Sequence, residues 1–171
     1  MEEMVFYPAP PGARSLLVPT YTSGVPLESS VFVLPHPKKV KTGGEDASFT
    51  RDGYYAVFDG VSGWARKGVD AGAFSRALAA NTASALDLIR SSGYHAETVF
   101  DDLEMALDAG LSEIELLGST TACMLSISPD GRLANILNVG DSGFHIFRPA
   151  EDDVRSLQLV AKSSSQQHAH N

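Results

Sequence analysis

From residue 69 to residue 117 the apolar residues of this chain recur at helical spacing, whereas the segments on either side alternate or run as short β-branched stretches. Phe74, Ala77, Leu78, Ala85, Leu86 and Ile89 define a first helix, with Asp70 suited to its positive first turn and Gly93 to its stop. Val99, Phe100, Leu103, Leu107, Leu111 and Ile114 define a second over about residues 96–117, weakened in the middle by Gly110. Before them, residues 30–34 form a strand stopped by Pro35-His36-Pro37, and residues 47–50 and 54–58 form a hairpin turning at Asp52-Gly53. After them come strands over 120–126, 133–139 and 144–147, with β patterning up to Val160. Strands, two long helices and strands again is an α+β order and not a βαβ alternation. Two antiparallel sheets with helices packed outside would accommodate it.

At 171 residues the chain suits one domain with a sizeable core. Residues 1–29, with Pro8, Pro10 and Pro11, read as an irregular lead-in holding one short strand near 15–18, and residues 30–171 as the domain. A formal net charge of -8, with Lys38, Lys39 and Lys41 as the one basic cluster, speaks against a nucleic-acid partner. No apolar run approaches the ~20 residues a membrane helix needs. The amino terminus, with Glu2 and Glu3, has neither a secretory charge pattern nor an arginine-rich transit peptide. A single cysteine, Cys123, excludes an intramolecular disulfide and sits in an apolar run, as a buried small hydrophobe would. That fits a reducing, intracellular compartment, with cytoplasm and mitochondrion both open.

Three short segments carry residues suited to chemistry: Gly43-Gly44-Glu45-Asp46-Ala47, Phe58-Asp59-Gly60-Val61-Ser62-Gly63-Trp64 and Gly140-Asp141-Ser142-Gly143-Phe144. Read singly, each is also an ordinary acidic turn, as Asp52-Gly53 and Asp130-Gly131 are expected to be. A carboxylate delivered by an apolar strand onto a turn of small residues is nevertheless a good hard-metal ligand. His36, His95, His145, His168 and His170 show no metal-ligand spacing.

In succession, these segments and Gly118-Ser119-Thr120-Thr121-Ala122 resemble the metal-dependent serine/threonine protein phosphatases of type 2C, the PPM family, over roughly residues 30–171. Asp59-Gly60-Val61, Gly63-Trp64, Gly68-Val69-Asp70-Ala71 and Gln166-Gln167-His168 resemble its yeast-type mitochondrial subgroup and the plant and protist relatives of that subgroup. The resemblance implies an α/β/β/α fold, a two-sheet β-sandwich flanked by helices. It also implies hydrolysis of phosphoserine or phosphothreonine in phosphoproteins by water activated on two Mn²⁺ or Mg²⁺ ions.

Asp59 would then bridge both metals, Glu45 and the Gly60 carbonyl would bind one, Asp46 would orient the attacking water, and Asp141 would serve a looser third position. Lys41 stands where the family often places a phosphate-contacting arginine. Three departures accompany the match: Val61 replaces a histidine able to protonate the leaving group, Ser62 replaces a frequent glycine, and the family's later metal-binding aspartates have no counterpart after Asp141. The fold is accordingly expected to be incomplete at the carboxy terminus. Three readings stay open: a phosphatase, a phosphatase-like interaction or regulatory domain without turnover, and a site completed by a second chain. Unpaired strands would favour self-association.

Overall fold

The computed structural model describes residues 16–21, 26–92 and 99–166. Its strands are β1 (Leu16–Tyr21), β2 (Pro26–Val31), β3 (Asp46–Arg51), β4 (Tyr54–Asp59), β5 (Ala122–Ile127), β6 (Ala134–Val139), β7 (His145–Pro149) and β8 (Leu157–Lys162). Its α-helices are α1 (Ala71–Ser91) and α2 (Val99–Ser112). β3-β4-β5-β6 form one antiparallel sheet, and β1-β2 and β7-β8 are separate antiparallel hairpins. The α+β class holds. Within the described residues, however, a single four-stranded sheet carries α1 on β3 and β4 and α2 on β5 and β6.

Strand periodicity explains which side the helices take. Phe49, Ala56 and Met124 lie opposite one another across β3, β4 and β5, and with Phe58 and Ala122 they form the buried face. Phe58 is 1% exposed and Met124 0%. The alternate residues point away from the helices, and one of them, Val57, is 47% exposed. Burying each large apolar side chain contributes roughly 1.5–3 kcal/mol, so this face holds the sheet to the helices.

Asp70 caps α1, its carboxylate accepting from the Gly72 N–H at 2.9 Å. The helix buries Phe74, Leu78 and Leu86 as its spacing requires. It also buries Ser75, Ala79, Thr82 and Ala83, because it faces α2 as well as the sheet.

Four sequence expectations need correction or bounding. The short strand expected near residues 15–18 overlaps β1, but the order extends further than expected: β1 pairs with β2 from Leu16↔Val31 to Tyr21↔Pro26, across the boundary at residue 29, while residues 32–36 are irregular. Val18, Thr20 and Tyr21 favour a strand, and Pro19 is tolerated because β1 has one neighbour among the described residues. α2 ends at Ser112 and not at residue 117, since Leu116 and Leu117 are 50% and 69% exposed and have no apolar surface to meet; Leu111 is also exposed. Gly110 is a buried contact and not a weak point. Gly93, the expected helix start at residue 96 and the tail from residue 167 lie outside the described residues.

A Cβ at Gly110 would sit 2.6 Å from Thr82 Oγ1 and 2.7 Å from Thr82 N, so the absence of a side chain lets α1 and α2 approach. Intrinsic propensity favours alanine over glycine in a helix by about 1 kcal/mol; overpacking costs about 1–3 kcal/mol. Gly110→Ala is therefore expected to lower the stability measured by urea unfolding, and a gain would show that the helices separate at no cost.

Candidate active site

The first residue of β3 and the last of β4 are Asp46 and Asp59, direct partners in the antiparallel register. Side chains of partnered residues share a face. Here it is the face turned away from the helices. β4 cannot continue, because Gly60 enters a gap between three backbones: its N–H donates to Glu45 O at 3.2 Å, and it bridges Thr120. A Cβ there would lie 2.6 Å from Glu45 O and 2.9 Å from Ala71 O, which explains why glycine follows the aspartate.

Hydroxyl groups fasten this junction. Thr121 Oγ1 accepts from the Asp59 N–H at 3.0 Å and lies 2.5 Å from Ser142 Oγ, while the Thr121 N–H donates to Asp59 O at 2.9 Å. The same threonine therefore connects Asp59 to the turn that carries Asp141. Ser119 holds the following loop, its carbonyl accepting from Val61 N at 3.0 Å and its hydroxyl from Trp64 Nε1 at 2.8 Å. Ser75, fully buried in α1, donates to Glu45 O and approaches Gly72 O at 3.1 Å.

The electrostatics are those of an acidic cluster. Burial raises the Asp59 carboxyl above its usual range, and the neighbouring charge of Asp46, a hydrogen bond with Asp46, and the charges of Asp141 and Glu45 push it further the same way. Burial also pushes Glu45 upward, but hydrogen bonds from Lys39 and Ser62 and the Lys39 charge outweigh it and leave that carboxyl lowered. Ser62 Oγ donates to Glu45 Oε2 at 2.5 Å, and Lys39 Nζ reaches both Ser62 Oγ, at 2.9 Å, and Glu45 Oε2. Among the described residues no lysine or arginine pairs with Asp59.

Glu45, Asp46 and Asp59 line one cavity of about 660 Å³ together with Lys39 and Ser62. Asp141 is exposed and not among the residues lining that cavity, but its charge acts on Asp59. Lys41 is the residue that does not join: it is exposed and outside the cavity lining, and Lys39 supplies the ammonium beside Glu45. Both lie in a 3₁₀ turn, Pro37–Thr42, where residues two apart project to different sides. Ser75 and Thr121 carry no signal of their own in the sequence, although Thr121 lies within the quoted Gly-Ser-Thr-Thr stretch.

The donors suit a hard divalent cation in kind, being carboxylates whose mutual repulsion such a cation relieves. They are incomplete in number: among the described residues no three His, Cys, Asp or Glu side chains form a metal cage.

The chain matches no protein-family model. Probable protein phosphatase 2C 80 of Arabidopsis thaliana is 40% identical to it over 147 residues, which are 85% of this chain and 32% of that protein. The X-ray structure of the photosystem II phosphatase PBCP superposes with a TM-score of 0.63 at 33% identity, covering 80% of this chain and 49% of the other. By sequence and by fold the chain belongs with the type 2C, or PPM, protein phosphatases. Protein phosphatase PTC7 homolog fig of Drosophila grimshawi matches at a lower identity, 27% over 137 residues, 78% of this chain and 42% of that protein. The chain spans about a third of the length of the first curated relatives it matches.

Thr121→Val in this type 2C segment leaves the Asp59 N–H and the Ser142 hydroxyl without their shared partner. A loss of about 1–3 kcal/mol is expected, read by chemical unfolding, with Thr121→Ser recovering most of it. Equal stability of the two variants would show that the hydroxyl does not hold the junction.

Proposed function

We propose that this protein is a Mn²⁺- or Mg²⁺-dependent phosphatase that hydrolyses phosphoserine and phosphothreonine in phosphoproteins, with water as the nucleophile and no phosphoenzyme. The observation that carries the reading is the partnered Asp46 and Asp59, flanked by Glu45 and Gly60, in a chain with type 2C relatives. Asp59 would be the central metal ligand, assisted by Glu45 and the Gly60 carbonyl, and Asp141 would serve a looser position. When bound, the cations supply Lewis acidity toward the phosphoryl oxygens and lower the pKa of water. Asp46 orients the attacking water. Lys39 supplies an ammonium beside Glu45 in the cavity, whereas Lys41, where the family often places a phosphate-contacting arginine, is exposed outside its lining. Val61 has no proton to offer from its side chain, so water protonates the departing alkoxide.

The names of the relatives do not favour the alternative of a domain without turnover. Within the family we place the protein near the yeast-type mitochondrial subgroup, a reading supported by the Val61 position and by the similarity to the PTC7 homolog. No helix of the described residues is long and apolar enough to cross a membrane. The buried free thiol of Cys123 supports an intracellular site, in cytoplasm or mitochondrion. Strand β8, exposed along its length with Leu157, Leu159 and Val160, supports association through strands, including self-association.

Asp59→Asn is expected to weaken Mn²⁺ binding at least about 10-fold by calorimetry and to lower turnover of a phosphoserine peptide about 100-fold or more. Unchanged Mn²⁺ binding would remove Asp59 from the centre of the site.

A further inference from the structure

Lys39 is held in an unusual way for a surface lysine. Its backbone is fixed on both sides: the N–H donates to His36 O at 2.7 Å, and the carbonyl accepts from Gly44 N at 3.2 Å and from Thr42 Oγ1 at 2.9 Å. The side chain then crosses to the acidic cluster, where Nζ meets Glu45 Oε2 and Ser62 Oγ. The two side chains of the pair are 32% and 14% exposed, so the contact is better shielded than an open surface ion pair. Ser62, a residue with a hydroxyl where a bare backbone would serve the turn, donates to the same Glu45 oxygen at 2.5 Å. Glu45 thus has a resident cation and a latch.

We propose that Lys39 is a built-in competitor for the divalent metal: its ammonium neutralises Glu45 while the site is metal-free, Ser62 latches the pair, and a cation must displace it to claim that carboxylate. The inference rests on the metal reading given above. Both Nζ and a divalent cation seek the oxygens of one carboxylate, and two positive centres there repel each other. A fixed backbone with a flexible four-carbon stem lets the ammonium leave without disturbing the fold. Lys39 is therefore a positioning residue that sets the metal concentration at which the site fills.

Mn²⁺ titration of the full chain, followed by the electron paramagnetic resonance of free Mn²⁺, tests this without any activity assay. Lys39→Gln is expected to bind Mn²⁺ about threefold to tenfold more tightly than the wild type, and Ser62→Gly to shift it in the same direction by less. Lys38→Gln removes the same charge one residue away, from an exposed side chain, and is expected to shift affinity less than Lys39→Gln. Lys39→Gln binding equally or more weakly, or Lys38→Gln matching its gain, overturns the competitor role while leaving the metal site standing. Absence of Mn²⁺ binding in the wild type and in every variant instead overturns the metal reading, and the competitor with it. Far-ultraviolet circular dichroism on each variant checks that the fold is retained.

Discussion

The antiparallel register of β3 and β4 is the constraint on which the rest depends. It places Asp46 directly opposite Asp59, an arrangement in which two carboxylates oppose each other across a sheet and disfavour the pairing. The same register places Phe49 opposite Ala56 and Ala47 opposite Phe58 on the other face, under α1. A slip by one residue would exchange the faces and expose the aromatic pair. Burial of Phe49 and Phe58, whose rings lie 6.0 Å apart, therefore fixes the register against the repulsion of the acids. The acidic site exists because the opposite face is apolar.

Having fixed the acids, the fold restrains the turns that follow them with hydroxyl groups. Thr121, Ser142, Ser119 and Ser75 each hold a backbone or hydroxyl partner near Asp59 or Glu45. Such bonds are directional and short in reach, whereas a second set of lysines or arginines would have neutralised the carboxylates themselves. Asp59 keeps a raised pKa as a result, mainly through burial and the charge of Asp46. That is a suitable condition for a cation ligand, because the favourable interaction is left for the cation to make.

Much of this was legible in the sequence, and what was not has identifiable causes. The β3-β4 hairpin and α1 follow from period-2 and period-3.6 patterns, and both stand within a residue or two of expectation. Glu45, Asp46, Asp59 and Gly60 were marked by their succession along the chain. Lys39 could not be chosen over Lys41, because the three lysines share one short segment and the choice depends on the 3₁₀ turn. Gly110 was misread because intrinsic propensity knows nothing of Thr82 on the facing helix. Leu116 and Leu117 prolonged an apolar pattern that tertiary structure leaves exposed. Of the β1-β2 pair, a short strand near residues 15–18 was legible and overlaps β1, while β2 was not marked because Pro26, Glu28 and two serines dilute its apolar pattern.

The helices have a part in the site although none of the expected ligands lies on them. Asp59 N and Thr121 Oγ1 are 62 positions apart in the chain and 3.0 Å apart in space. Between them lie α1 and α2, which carry the chain away from the end of β4 and return it so that β5 pairs along the free edge of that strand. Gly110 lies against Thr82 where the two helices meet, and α2 in turn packs on β5, the strand that pairs with β4 and begins just after Thr121. Sheet order then brings β6 beside β5, and the turn after β6 brings Ser142 to Thr121 and Asp141 into the electrostatic range of Asp59. Packing on the buried face and charge on the open face are thus linked through β5, the strand common to both.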